Sequence, residues 1–300
     1  MKIGATTAPS AQRTVLEVIE TIAALRESLS RQSVGRAGAQ RRALVPTMGA
    51  LHAGHVELIK RARRDNGVVV VSIFVNPLQF NNPDDLARYP RTLESDVALC
   101  RELGVDMVFA PSVAEVYPQP LECSVDVGRL ADHLCGKFRP GHFRGVATVV
   151  LKLFEMVQPD VAYFGEKDAQ QLAIIKRLAA DFNLPVAVVG VPTVREADGL
   201  ALSSRNRHLS ADERALAPSL YHALVEAKDQ IARGSVRADE IQGAATARIP
   251  RDPRLRLEYL EIVDPATLQP VQEVVGPVRV AGAMWVGNTR LIDNLLVLPT

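Results

Sequence analysis

Cysteine is scarce in this 300-residue chain. Cys100, Cys123 and Cys135 are odd in number and lack CxxC spacing, so neither a disulfide framework nor a zinc knuckle is expected. A reducing cytoplasm fits them. Charge of one sign is also missing: the formal net charge is +1, which gives no overall field and no sign of general nucleic-acid or membrane-surface binding. The small basic clusters Arg41-Arg42 and Lys60 to Arg64 read as solvated faces. No apolar run approaches a membrane span, and Met1 to Ala11 lacks the apolar core of a signal peptide. Walker A, G-x-G-x-x-G and HExxH patterns do not occur, so P-loop, dinucleotide and HExxH metal sites have no motif behind them.

What is present is an ordinary globular composition, 47% hydrophobic and 23% charged, in a chain long enough for two cores. The apolar spacing of Val15, Leu16, Ile19, Ile22, Ala23 and Leu29 predicts a first amphipathic helix. Ser33 to Gln40 follows as a connection, and Ala43–Val45 as a strand. Val68 to Val75 is a β-branched run of the kind buried on both sheet faces. Helices are expected over 93–103, 146–157 and 168–182, and strands over 106–110, 161–164 and 186–191. Such alternation predicts a Rossmann-like parallel sheet with helices on both faces, here assigned to residues 1–193. From 194 to 300 the pattern changes to a smaller α+β domain. Its expected elements are a long helix over 211–233 capped by Ser210 with Glu213, a helix over 238–248, and strands over 255–263 and 278–286.

Residues 46–55, Pro-Thr-Met-Gly-Ala-Leu-His-Ala-Gly-His, carry the most chemistry. They follow the Ala43–Val45 strand and precede helical spacing at Val56, Ile59 and Ala62. A strand-to-helix loop offers free N–H groups and a positive dipole end to an anion. His52 and His55, three apart, would lie on one face of the first turn, and Gly54 permits close approach of a phosphate. Metal binding is the weaker reading, since no third ligand is nearby. The segments after the strands at 68–75 and 161–164, Asn76 to Phe80 and Gly165 to Asp168, share the same sheet edge. Ligands bind there in open α/β sheets.

The chain also holds Asn76-Pro-Leu-Gln-Phe80, Tyr89-Pro-Arg-Thr92, Arg139-Pro-Gly-His-Phe-Arg-Gly145, Gly165-Glu-Lys-Asp168 and Ser203-Ser-Arg-Asn-Arg207. In this order and spacing it resembles the pantoate–β-alanine ligase family, within the nucleotidyltransferases that carry a HIGH signature. The resemblance runs from about Leu44 to Leu209 and continues more weakly beyond.

It implies a two-step reaction. The carboxylate of pantoate attacks the α-phosphate of ATP, and β-alanine then displaces AMP to form an amide. By resemblance His55 is the proton donor, with His52 and Lys167 beside the phosphates. Thr47, Met48, Gly49, Gly54, Gly165, Glu166, Lys167, Asp168, Val194, Leu202, Ser203, Ser204 and Arg205 are placed on the nucleotide. Gln79 and Gln171, with Met48, are placed on pantoate. Neutral amides suit a carboxylate and hydroxyls without adding charge beside phosphate. Mg²⁺ is implied on the ATP phosphates, with Asp96 as the candidate protein ligand, whereas Asp84 and Asp85 read as solvated loop charges. A homodimer is implied, as is a C-terminal domain that closes as a cover through Ser203 to Arg205, with Gly199 as a flexible point.

Each assignment has a plainer alternative. Lys167 and Arg205 could be surface charges, Asp168 an N-cap, and Gln79 and Gln171 ordinary residues at element ends. His142 has no assigned role, and His133, His208 and His222 read as surface or structural residues. Ala53 and Ala169 depart from the family, which more often has an acid and an aromatic there. The competing functions are a nucleotidyltransferase acting on a phosphorylated small molecule and a non-catalytic nucleotide sensor.

Overall fold

The structure is a computed structural model that describes residues 16–34 and 40–299. The expectations for Met1 to Ala11, for Val15 and for most of the 33–40 connection lie outside the described residues. Six parallel strands, β1 (Glu17–Ile19), β2 (Arg42–Thr47), β3 (Val68–Ile73), β4 (Met107–Phe109), β5 (Val161–Gly165) and β6 (Ala187–Val191), form one sheet. Its order is β1-β4-β3-β2-β5-β6. In-register pairing of Val45 with Val71 and of Leu44 with Ala162 joins β2 to both central neighbours.

The alternation along these strands explains the layers. Leu44, Val70, Ala162 and Phe164 point to one face, against the helices Ile22–Val34, His142–Val157 and Ala169–Asp181. Ala43, Val45, Val69, Val71, Val161 and Tyr163 point to the other, against Ala53–Asp65 and Leu93–Glu102. Both faces are apolar because both are covered. The first helix departs from the expected start, since Glu17–Ile19 is taken into the sheet edge beside Met107–Phe109. The apolar spacing there fits a short strand as well as a helix, and parallel pairing wins.

A second sheet is antiparallel: β7 (Leu255–Val263), β8 (Val278–Val286) and β9 (Thr289–Val297). The final strand is not among those expected from the sequence. The expected long helix after Ser210 is broken into Ala211–Leu216 and Ser219–Ala232. Pro218, with no N–H to donate, sits at the break. Its capping box is present: Glu213 N–H donates to Ser210 Oγ at 3.3 Å, and Ser210 N–H donates to Glu213 at 2.8 Å.

One side of this sheet packs on the helices Ser219–Ala232 and Ala238–Thr246 through Leu260, Ile262 and Val280. The other side joins the core of the parallel sheet through Tyr259, Val263, Ala281 and Ala283. A shared core of this density does not slide open freely.

Candidate active site

The connections leaving β2 run one way across the sheet and those leaving β5 run the other, so β2 and β5 flank the topological switch point. A cavity of about 1030 Å³ opens there, beyond the carboxyl ends of the strands. It is lined by Thr47, Met48, His52, Gly54, His55, Gln79, Gly165, Lys167, Asp168, Gln171, Val194, Leu202, Ser203, Ser204 and Arg205. Of the residues expected on nucleotide, pantoate or metal, only Gly49, Glu166 and Asp96 lie behind its wall.

Asp96, the expected metal ligand, is turned toward the backbone of the loop after β2. It is 3% exposed, and its two oxygens accept from the Ala50 and Leu51 N–H groups, each at 2.9 Å. Thr92 Oγ1 also donates to it, at 3.1 Å. This carboxylate pins the loop between β2 and the following helix. Gly49 makes the loop possible, with φ +80 and Asp96 Oδ2 only 3.0 Å from where a Cβ would sit. Nothing in the motif spacing separates a loop-clamping acid from a metal-binding one. Among the described residues no group of three or more His, Cys, Asp or Glu could hold a metal ion.

His52 is the N-cap of Ala53–Asp65, one position outside the helix, and not part of its first turn as the spacing suggests. Its Nδ1 accepts from Gly54 N–H at 3.1 Å, and His55 Nδ1 accepts from His52 N–H at 3.3 Å. Each accepting nitrogen leaves the proton of a neutral ring on Nε2. The rings lie 4.1 Å apart. Burial, then the Lys167 charge, pull His52 down to about 4, while Asp168 opposes this. Burial, then His52, pull His55 down to about 3. The pair is therefore two neutral N–H donors at a helix N-terminus.

Lys167 lines the same cavity from the turn that follows β5, close enough for its charge to act on both histidines. Asp168 occupies the N-cap position of Ala169–Asp181, but its side chain makes no capping bond. Arg205 is partnered: it pairs with Asp85 at 3.3 Å, so Asp85 is not merely a solvated charge. The Glu166 carboxylate lies against Gly190, away from the cavity.

Val194 and Leu202 face each other across a hairpin in which Leu202 N–H donates to the Val194 carbonyl at 2.9 Å. Gly199 closes its turn with φ +91, and a Cβ there would lie 2.1 Å from the Tyr221 ring. The turn is tightly packed. Shape, not flexibility, requires glycine at this position.

Gln79 is built into the site from behind. Asn76, 1% exposed, donates from Nδ2 to Gln79 Oε1 at 3.2 Å. That leaves the Gln79 amide N–H groups for the cavity, where Nε2 meets Met48 Sδ at 3.0 Å. His142, which has no role from the sequence, lies 2.8 Å from the Gln79 carbonyl through Nδ1. Facing a carbonyl, Nδ1 carries the proton, and Nε2 accepts from Arg139 Nη1 at 3.0 Å. Arg139 Nη2 donates to the same carbonyl at 3.1 Å. Burial, then Arg139, hold His142 down to about 3. Asn76, Arg139 and His142 all fall inside recognisable motifs. Motif membership is the only sequence signal for them.

Replacing His142 with Leu removes both bonds, whereas Asn keeps a donor near Nδ1. The expected result is about a 10-fold rise in KM for the substrate that Gln79 contacts in His142→Leu, with His142→Asn closer to wild type. Equal behaviour of the two variants in steady-state kinetics would remove this role.

A doubly wound parallel sheet with paired imidazoles at a helix start and a lysine in the same switch-point cavity defines a nucleotide-handling α/β protein. The model of the pantoate-beta-alanine ligase family matches residues 17–296, and the chain belongs to that family. It is 50% identical to the pantothenate synthetase of Moorella thermoacetica over 94% of this chain and 99% of the relative. It is 57% identical to the bifunctional pantoate ligase/cytidylate kinase of Thermosynechococcus vestitus, over 84% of this chain and 50% of that protein. The chain thus spans about half the length of the bifunctional relatives that it matches. A pantothenate synthetase structure from Thermus thermophilus superposes with TM-score 0.88 at 48% identity, over 94% of this chain and 100% of that one. A Francisella tularensis pantoate-beta-alanine ligase complexed with beta-gamma ATP and beta-alanine superposes with TM-score 0.77 at 36% identity, over 94% and 98% of the two chains.

Proposed function

We propose that the chain condenses (R)-pantoate with β-alanine at the expense of ATP, giving pantothenate, AMP and pyrophosphate through a pantoyl adenylate. The observation that carries this is that two kinds of side chain line one cavity. His52, His55 and Lys167 are donors suited to phosphate, and Gln79 and Gln171 are neutral amides suited to a carboxylate and hydroxyls. A carboxylate held by the amides is aimed at an α-phosphate held by the imidazole N–H groups and the lysine. Charge that develops on the phosphate oxygens meets donors already in place. Orientation of this kind supplies several kcal/mol of a barrier without a protein nucleophile.

Cys100 and Cys135 are buried and Cys123 is exposed, and none of the three lines the cavity. The relevant Mg²⁺ accompanies ATP, because hard cations prefer phosphate oxygens. With Asp96 committed to backbone N–H groups, the described residues supply no carboxylate cage for it. The division into residues 1–193 and 194–300, a homodimer and a cytoplasmic setting belong to the same reading. Among the described residues no helix is long and apolar enough to cross a membrane.

The test is isotopic. Pantoate labelled with ¹⁸O in its carboxylate should leave one labelled oxygen on AMP and the other in the amide carbonyl, with pyrophosphate unlabelled. Label in inorganic phosphate, with unlabelled ADP as the co-product, would overturn the adenylate in favour of an acyl phosphate. A stable nucleotide–substrate conjugate would mark a nucleotidyltransferase instead.

A further inference from the structure

Two adjacent residues of β9, Asp293 and Asn294, tie the C-terminal sheet to both walls of the cavity. They are 5% and 7% exposed. Asn294 Nδ2 donates to the carbonyls of Glu166 and Lys167, both at 2.9 Å. Its Oδ1 accepts from Arg279 on β8, so the amide cannot turn over without losing all three bonds. Asp293 receives Arg195 on both oxygens, at 2.6 and 2.9 Å. Arg195 belongs to the hairpin of Val194 and Leu202, donates to the Gly199 carbonyl at 3.0 Å, and lies over the Tyr221 ring at 4.3 Å. The Asn294 backbone N–H also donates to Asp293 Oδ1 at 2.8 Å, which holds the Asp293 side chain against the strand backbone.

A carbonyl next to a catalytic lysine has many ways to be satisfied in a loop, most of them by water. Here two successive carbonyls are held by one buried amide from a different sheet. That arrangement fixes where the Lys167 backbone sits relative to the hairpin across the cavity. The geometry points to Asp293 and Asn294 as positioning residues: Asn294 sets the Lys167 turn, Asp293 sets the 194–202 hairpin, and β9 holds the two in register. The C-terminal sheet then serves as a template on which the nucleotide site is assembled, not only as a cover. This rests on the proposed adenylation, which is checked separately by pantoate-dependent pyrophosphate release from the unaltered chain.

Asn294→Asp keeps the size of the side chain and the acceptor for Arg279, but turns an oxygen toward two carbonyls. Single-turnover pyrophosphate release at saturating ATP should slow by about 10–100-fold, because a shift of about 1 Å in a reacting group costs that much. Pantoate affinity should stay within about twofold, since Gln79 and Gln171 are not touched by this pair. In a Lys167→Ala background the same change should cost less than about threefold more, because residues that act through one group are not additive. Asp293→Asn should instead raise the apparent KM for ATP by about 10-fold, the scale of losing a charge-assisted pair, and leave the saturated rate near normal. Should Asn294→Asp fail to fold in a thermal melt, Asn294→Ala is read in the same way. Undiminished adenylation in the folded variant, or an equal loss with and without Lys167, would overturn the assignment.

Discussion

His55→Ala, and to a similar degree His52→Ala, should slow formation of the adenylate by about 10²–10³-fold, the usual cost of removing one preorganised donor to a developing charge. The fold should survive, because neither ring belongs to the two cores of the parallel sheet. The expected loss comes from Nε2–H, not from a standing positive charge. Both Nδ1 atoms are occupied by backbone N–H groups, and both rings are neutral in the free chain. Single-turnover pyrophosphate release measures the effect, and near-normal rates in both variants would remove the pair from the mechanism.

The same residues set a pH dependence of stability. Unfolded histidine takes up a proton near pH 6.5, whereas folded His52 does so near 4 and folded His55 near 3. Between those values the unfolded state binds more protons. Stability is therefore highest above pH 6.5 and falls as the pH drops toward 3. The His52→Ala chain should lose less stability than the unaltered one on acidification from about pH 7 to about pH 4.5, read by denaturant titration.

Asp96→Ala should destabilise the ligand-free chain by about 3 kcal/mol, since it strands two buried N–H groups and a hydroxyl that donate to a charge. For a chain of this size that is a fall of roughly 5–10 °C in the melting midpoint. The loss should be the same with Mg²⁺ and with a chelator, because the carboxylate is directed at Ala50, Leu51 and Thr92. A normal melt combined with a raised Mg²⁺ requirement would restore the metal-ligand reading. Adenylation should also fall, as the loop that Asp96 pins delivers His52 and His55.

The parallel sheet is legible because its buried strands are short apolar runs that alternate with segments of helical periodicity. His52, His55, Gln79, Lys167 and Arg205 are legible because each sits in a motif, Gln171 only through the family resemblance, and all six line the cavity. The partners of Asp96 are not legible in the sequence, since an acid at a given spacing looks the same whether it faces a cation or a backbone amide. Its three donors come from residues 46, 45 and 4 positions away. His142 has no role in a sequence reading because its function is a bond to the carbonyl of Gln79, 63 residues off.

By itself the sequence determined the class of sheet, the edge on which the cavity lies, and most of the motif residues that line it. These follow from local periodicity and from motifs within a few residues. Only the tertiary structure decided the protonation of the histidines, the work of Asp96, and the anchoring of Lys167 by β9. Each of those depends on which backbone group a side chain meets across tens of residues, and on how much water packing leaves beside it. Asn294 lies 127 residues from Lys167 in the chain and 2.9 Å from its carbonyl in the fold.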